Sequence, residues 1–205
     1  MSNKRRKQLK KFIFPFVIGA TLFVMGCNEE NNDLSKGTDQ TDALSIIKTY
    51  DTELGKLETY YINEEIDESH EENDIELMVT SVEYGKLLLN DDYRDTYEKL
   101  EDEGNYNTYI KVGVEIAAEN EAYEQDEITF YIYQAELDVQ GKKVQADSTF
   151  SDKVNISNGK VEMDKGYLYF IIDATMPITS LKLNVPAPFK DGLSISDNYE
   201  YKIEL

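Results

Sequence analysis

From residue 75 onward apolar and polar positions alternate with a period of two, the pattern of strands that bury one face. Ile75, Leu77 and Val79 alternate with Glu76, Met78 and Thr80. Thr108, Ile110, Val112, Val114 and Ile116 repeat the pattern, as do Ile128, Phe130 and Ile132, which lead on to Leu137 and Val139. Gln140-Gly141-Lys142 reads as a turn, and residues 144–150 resume a weaker strand. Leu168, Phe170, Ile172 and Ala174 mark another strand, residues 178–185 another, and Tyr199, Tyr201 and Ile203 the last. Short alternating segments joined by polar turns predict a mainly β protein, an antiparallel β-sandwich. Residues 91–103 break the pattern. Tyr93, Tyr97 and Leu100 sit at helical spacing there, and a short helix or long loop is expected.

Upstream of residue 75 the pattern differs. Residues 28–41 hold one large apolar side chain, Leu34, too little to offset the cost of ordering the backbone, so they read as a flexible tether. In residues 42–61, Ile47, Tyr50, Leu54, Leu57 and Tyr61 recur at three- and four-residue steps, which predicts an amphipathic helix. Such a helix needs a surface to dock on, its own domain or a partner. Residues 63–74 carry Glu64, Glu65, Asp67, Glu68, Glu71, Glu72 and Asp74 around His70 and read as a solvated acidic spacer.

The first 27 residues are of another kind. Lys4, Arg5, Arg6, Lys7, Lys10 and Lys11 form a basic block, an apolar run of residues 12–26 follows, and Cys27 comes next. A basic start and an apolar middle are the architecture of a secretory signal. The run is short of the ~18–20 residues a spanning helix needs, and Pro15 lies inside it. Val24-Met25-Gly26-Cys27 resembles the lipobox of bacterial lipoproteins. That resemblance implies acylation of Cys27, with palmitate among the usual chains, and cleavage just before it. Acyl chains contribute ~0.8 kcal/mol per buried CH₂, and two or more hold a soluble domain at a membrane.

A second resemblance rests on residues 75–83 (Ile-Glu-Leu-Met-Val-Thr-Ser-Val-Glu), Tyr109 to Ile116, Lys165 to Ile172 and Ile178 to Leu183. Their layout is similar to the telokin-like, immunoglobulin-type domains of unknown function in extracellular lipoproteins of Gram-positive bacteria. It implies an immunoglobulin-like sandwich over residues 75–205, displayed at the cell surface, and it brings no catalytic residues. The expected organisation is a signal peptide over 1–26, a lipidated tether with helix and spacer over 27–74, and the sandwich.

Composition narrows the function. The chain has 41 Asp and Glu against 21 Lys and Arg, a net charge of −20. Loss of the six basic residues before Cys27 would make it −26. Such a surface repels nucleic acid, which is excluded as a partner. One histidine and one cysteine leave no thiolate or multi-imidazole metal site and no Cys–His or Ser–His pair beyond His70 itself. No nucleophile elbow or phosphate-binding loop occurs. No catalytic residue, cofactor or metal is therefore assigned, and a carboxylate-based hydrolase is the least favoured reading. Calcium is an alternative, since it takes oxygen ligands, and Asn90-Asp91-Asp92-Tyr93-Arg94-Asp95 with Glu98 is the densest donor run. It lacks the spacing of an EF-hand, and a helix start rich in acids explains it as well.

Tyrosine supplies the candidate interaction surface. Tyr109, Tyr131, Tyr133, Tyr167 and Tyr169 alternate with the aliphatic positions and are expected on the opposite face. Gathered together they would form an aromatic platform for a protein or peptide partner. Cross-strand pairing, or cover by the predicted helix, accounts for them equally well. The reading is a membrane-anchored extracellular lipoprotein with a non-catalytic binding or structural β-domain.

Overall fold

A computed structural model of the protein describes residues 44–72, 75–93, 106–117, 124 and 126–205. These fall in one compact unit, Asp42–Leu205. The signal-like segment, Cys27 and the tether lie outside the described residues, as does most of the stretch 91–103, of which 91–93 form a helical turn.

The unit begins with a hairpin of β1 (Lys48–Asp51) and β2 (Gly55–Asn63), followed by β3 (Glu68–Glu72), the long β4 (Ile75–Leu89) and β5 (Tyr106–Ala117). Shorter strands come next: β6 (Phe130–Tyr131), β7 (Glu136–Val139), β8 (Lys142–Gln145), β9 (Asn155–Ser157) and β10 (Lys160–Met163). The chain ends with β11 (Lys165–Ile172), β12 (Ser180–Val185), β13 (Phe189–Lys190), β14 (Leu193–Ser194) and β15 (Tyr199–Glu204). All pairings are antiparallel.

The largest sheet runs β1-β2-β4-β5-β11, with β3 pairing the first half of β4 beside the stretch that β2 takes. A second sheet runs β15-β12-β7-β8, a third β10-β9-β6, and β13 pairs β14. The predicted alternation sets the buried face. Leu77, Val79, Val112, Val114, Leu168 and Phe170 from the large sheet share one core with Leu137, Leu183 and Ile203 from the second sheet and Phe130 and Ile156 from the third. Tyr201 Oη of β15 donates to the Leu77 carbonyl of β4 at 2.7 Å, and Tyr199 Oη reaches the Ile75 carbonyl at 3.3 Å. These bonds satisfy phenols that burial would otherwise strand.

Of the expected helix over 42–61, residues 44–61 are described, and they do not form a helix. Gly55 adopts φ +148°, and a Cβ there would sit 2.0 Å from the Leu88 carbonyl oxygen, so only glycine fits. Thr52 N and Gly55 N each donate to the other's carbonyl, and Thr52 Oγ1 adds a third bond to Gly55 O, which closes a two-residue hairpin turn. The apolar residues that suggest a helical stripe are divided between two strands and a turn. Leu54 and Leu57 are buried, while Ile46 and Ile47 stay 50% and 59% exposed. The β-prone Thr49, Tyr50, Thr59, Tyr60, Tyr61 and Ile62 agree with the strands.

The acidic stretch also departs from expectation. Its second half is β3, paired with β4 from Glu68↔Val79 to Glu72↔Ile75. The His70 ring lies 4.7 Å from the Tyr199 ring, and Glu72 O accepts from Tyr199 Oη. The backbone pairs while its carboxylates stay largely in water, so charge density is no bar to strand formation at an edge. Two smaller differences lie further on. Ile132–Gln134 forms a 3-10 turn between β6 and β7, and the expected strand 144–150 ends at Gln145.

Candidate functional site

The site lies on the outer face of the large sheet, built by strands whose inner residues fill the core. After a bulge at Thr80, between Val79↔Val114 and Ser81↔Gly113, the outward positions of β4 are Ser81, Glu83, Gly85, Leu87 and Leu89. Those of β5 are Tyr109, Lys111, Gly113 and Glu115, and those of β11 are Tyr167, Tyr169 and Ile171.

One end of this face is closed. Leu54, Leu57, Leu87, Leu89, Tyr109 and Ile171 form a second apolar cluster, with Tyr50, Tyr93 and Phe150 packed on it. The Tyr93 and Phe150 rings meet edge to face, 5.3 Å apart. Leu54 and Leu57 come from the β1–β2 hairpin, which continues the same sheet beside β4.

At the boundary lies Glu83, 8% exposed. Its Oε1 accepts from Tyr50 Oη at 2.5 Å and Tyr109 Oη at 2.7 Å, with Thr59 Oγ1 at 3.1 Å. Thr59 Oγ1 and Tyr109 Oη are themselves 2.6 Å apart. Tyr50 and Tyr109 give their protons to the carboxylate, and the single Thr59 proton lies between Glu83 Oε1 and Tyr109 Oη. Lys111 Nζ stands 3.7 Å from Oε2. Burial alone would raise the Glu83 pKa, but the hydrogen bonds from Tyr50 and Tyr109, the Lys111 charge and Thr59 outweigh it and hold the carboxyl below its ordinary value. Burial, with the Glu83 charge beside them, pushes the Tyr50 and Tyr109 phenols well above theirs, which keeps them donors. Tyr169 is pushed to about 12, by burial and then by Glu83.

The other end of the face is open. Tyr167 is 45% exposed, and Lys111 Nζ lies 4.1 Å from its ring centroid and 6.0 Å from that of Tyr169. A cavity of about 210 Å³ lined by Ile62, Thr80, Ser81, Glu83 and Lys111 flanks Tyr167 on one side. One of about 310 Å³ lined by Thr80, Glu115, Asp152 and Lys165 flanks it on the other. The ring's backbone is pinned: Tyr167 N donates to Asp152 Oδ2 at 2.8 Å, and Asp152 N donates to Tyr167 O at 2.9 Å.

The five tyrosines expected to form a platform are thus divided. Tyr109, Tyr167 and Tyr169 share the outer face, but Tyr109 is 1% exposed and belongs to the closed end. Tyr131 and Tyr133 sit apart, on β6 and the 3-10 turn, with rings 5.5 Å from each other. Phe189 meets Tyr131 at 5.6 Å, and Lys153 Nζ lies 4.8 Å over Tyr133. Sequence reasoning passed over Glu83 and Lys111. The signal was there: a Glu and a Lys at outward positions of two apolar-rich strands.

Of the run 90–98, only 90–93 lie among the described residues, and there Asn90 Nδ2 donates to the Glu53 carbonyl at 2.9 Å. Among the described residues no group of three or more His, Cys, Asp or Glu side chains is placed to hold a metal ion. Nor, among them, is any helix long and apolar enough to cross a membrane.

No protein-family model matches the chain, and no curated protein matches it. Solved structures similar to it in part include two. One is a functionally unknown protein from Listeria monocytogenes EGD-e, 15% identical, with a TM-score of 0.49 over 72% of this chain and 87% of that one. The other is a candidate lipoprotein, ycdA, from Bacillus subtilis subsp. subtilis str. 168, 16% identical, with a TM-score of 0.43 over 68% of this chain and 39% of that one.

Proposed function

We propose that the protein is a bacterial lipoprotein held at the outer face of the cell membrane through acylated Cys27, and that it presents an immunoglobulin-type β-sandwich as a non-catalytic binding module. The observation that carries the binding role is the open end of the outer face, where the exposed Tyr167, pinned through Asp152, stands between two cavities. A pre-formed cavity with a few convergent polar groups and a rigid aromatic is the usual form of a recognition site. Glu83, the most buried carboxylate of the face, spends one oxygen on three hydroxyls of neighbouring strands, which is an arrangement that holds strands together.

The anchor rests on the basic block, the apolar run and Val24-Met25-Gly26-Cys27 coming in that order, with the only cysteine of the chain at the end. Mass spectrometry of the N-terminal peptide from native protein should find a diacylglyceryl-type adduct on Cys27. The Cys27→Ser variant should shift from the membrane fraction to the soluble fraction. An unmodified Cys27, or a variant still held by the membrane, rejects the anchoring.

A further inference from the structure

We propose that the open end of the outer face binds a neutral saccharide, with a pyranose ring laid on the part of Tyr167 that Lys111 leaves uncovered and its hydroxyls met by Lys111, Glu83, Thr80 and Ser81. This deepens the binding role above and rests on it.

The floor is cleared by one glycine. A Cβ on Gly113 would lie 2.3 Å from Ser81 Oγ and 2.7 Å from Thr80 Oγ1. The missing side chain and the bulge at Thr80 thus bring two hydroxyls together under the cavities that share Thr80 and Tyr167. Neither hydroxyl has a hydrogen-bond partner among the described residues. At one end Glu83 lines the cavity, and its Oε2 is left unused by the hydroxyl network, with Lys111 Nζ 3.7 Å away. The set therefore offers donors, an acceptor and two groups that act as either, beside the part of the 45%-exposed Tyr167 ring that the Lys111 ammonium, 4.1 Å from its centroid, leaves uncovered.

That combination selects among ligands. Glu64, Glu83, Glu115 and Asp152 line the two cavities against Lys111 and Lys165, so an anion is repelled. An apolar ligand would strip water from these charges and hydroxyls without replacing it. An extended peptide adding to the sheet needs a free edge beside Tyr167. There the edge of β11 is taken, since Asp147 N and Asp152 N donate to the Tyr169 and Tyr167 carbonyls at 2.7 and 2.9 Å. A sugar ring is uncharged, has a flat C–H patch for the tyrosine and carries hydroxyls that both donate and accept.

Isothermal titration calorimetry of the full chain with triacetylchitotriose, cellotriose and maltotriose tests this. At least one should bind with a Kd of ~1 mM or tighter. Tyr167→Ala should weaken that binding about tenfold or more with the thermal transition retained, and Thr80→Val about threefold, as one lost hydrogen bond does. No heat from any of the three sugars at ~10 mM, or equal binding by Tyr167→Ala, overturns the assignment. If the sugars fail while Cys27→Ser still leaves the membrane, the ligand class falls and the anchor stands. If Tyr167→Ala unfolds the chain, Thr80→Val alone decides.

Discussion

The two ends of one sheet face have opposite fates. At one end Tyr109, Leu87 and Ile171 are buried in a cluster with Leu54 and Leu57, on which Phe150 packs. At the other, Tyr167 is uncovered, and the buried Gly113 leaves room for the Thr80 and Ser81 hydroxyls. The strands are the same and the residue types overlap; what differs is the set of side chains packed on them, which at the closed end comes from the β1–β2 hairpin beside β4 and from Tyr93 and Phe150. The hairpin pairs with β4 only from Val82 onward, and β3 takes the earlier half of that strand. Glu83 sits where cover stops, with one oxygen in the closed end and the other beside Lys111. A face's chemistry is thus decided by what packs against it as much as by what it carries.

The difference can be broken by substitution. Removing Glu83 should cost most: Glu83→Ala leaves the Tyr50, Thr59 and Tyr109 hydroxyls and the Lys111 charge without their shared acceptor, and stability in urea should fall by ~3–5 kcal/mol. Leu57→Ala opens a void in the closed end and should cost ~2–5 kcal/mol, whereas Tyr167→Ala at the open end should change stability by less than ~0.5 kcal/mol. Equal losses for the two would mean that the open end is not open. Tyr109→Phe keeps the ring and removes one charge-assisted bond, and should cost ~1.5–3 kcal/mol.

A pH titration sharpens the same boundary. The folded Glu83 pKa is depressed, so its contribution is present above the unfolded carboxyl pKa and disappears as pH falls through the lower folded value. The wild-type advantage over Glu83→Gln should therefore shrink as pH drops below the ordinary glutamate range of about 4.3. An advantage that grows with acid would reverse the sign and show that burial, rather than the hydroxyls and Lys111, governs this carboxylate.

Much of the fold was legible beforehand. The period-two runs of β4, β5, β11, β12 and β15 gave the strands and the faces they bury, because a pleated strand sends alternate side chains to opposite sides. The same runs placed Tyr109, Tyr167 and Tyr169 together on the outer face. The hairpin was not legible. Ile47, Tyr50, Leu54, Leu57 and Tyr61 match a helix by spacing, and only the turn at Gly55 and the seat on β4 show that two strands share them. Nor was β3, whose acidic sequence resembles a solvated linker until the backbone of β4 is there to pair with it.

The chain alone determined the alternation of its strands, its strongly acidic surface and the single cysteine at a lipobox-like site, because these are properties of composition and local order. Tertiary structure decided which tyrosine is sealed and which is offered, and that Glu83, Lys111, Tyr50 and Tyr109 meet. Those are contacts between residues up to 33 positions apart, and they exist only once strand order and register bring distant segments to one face.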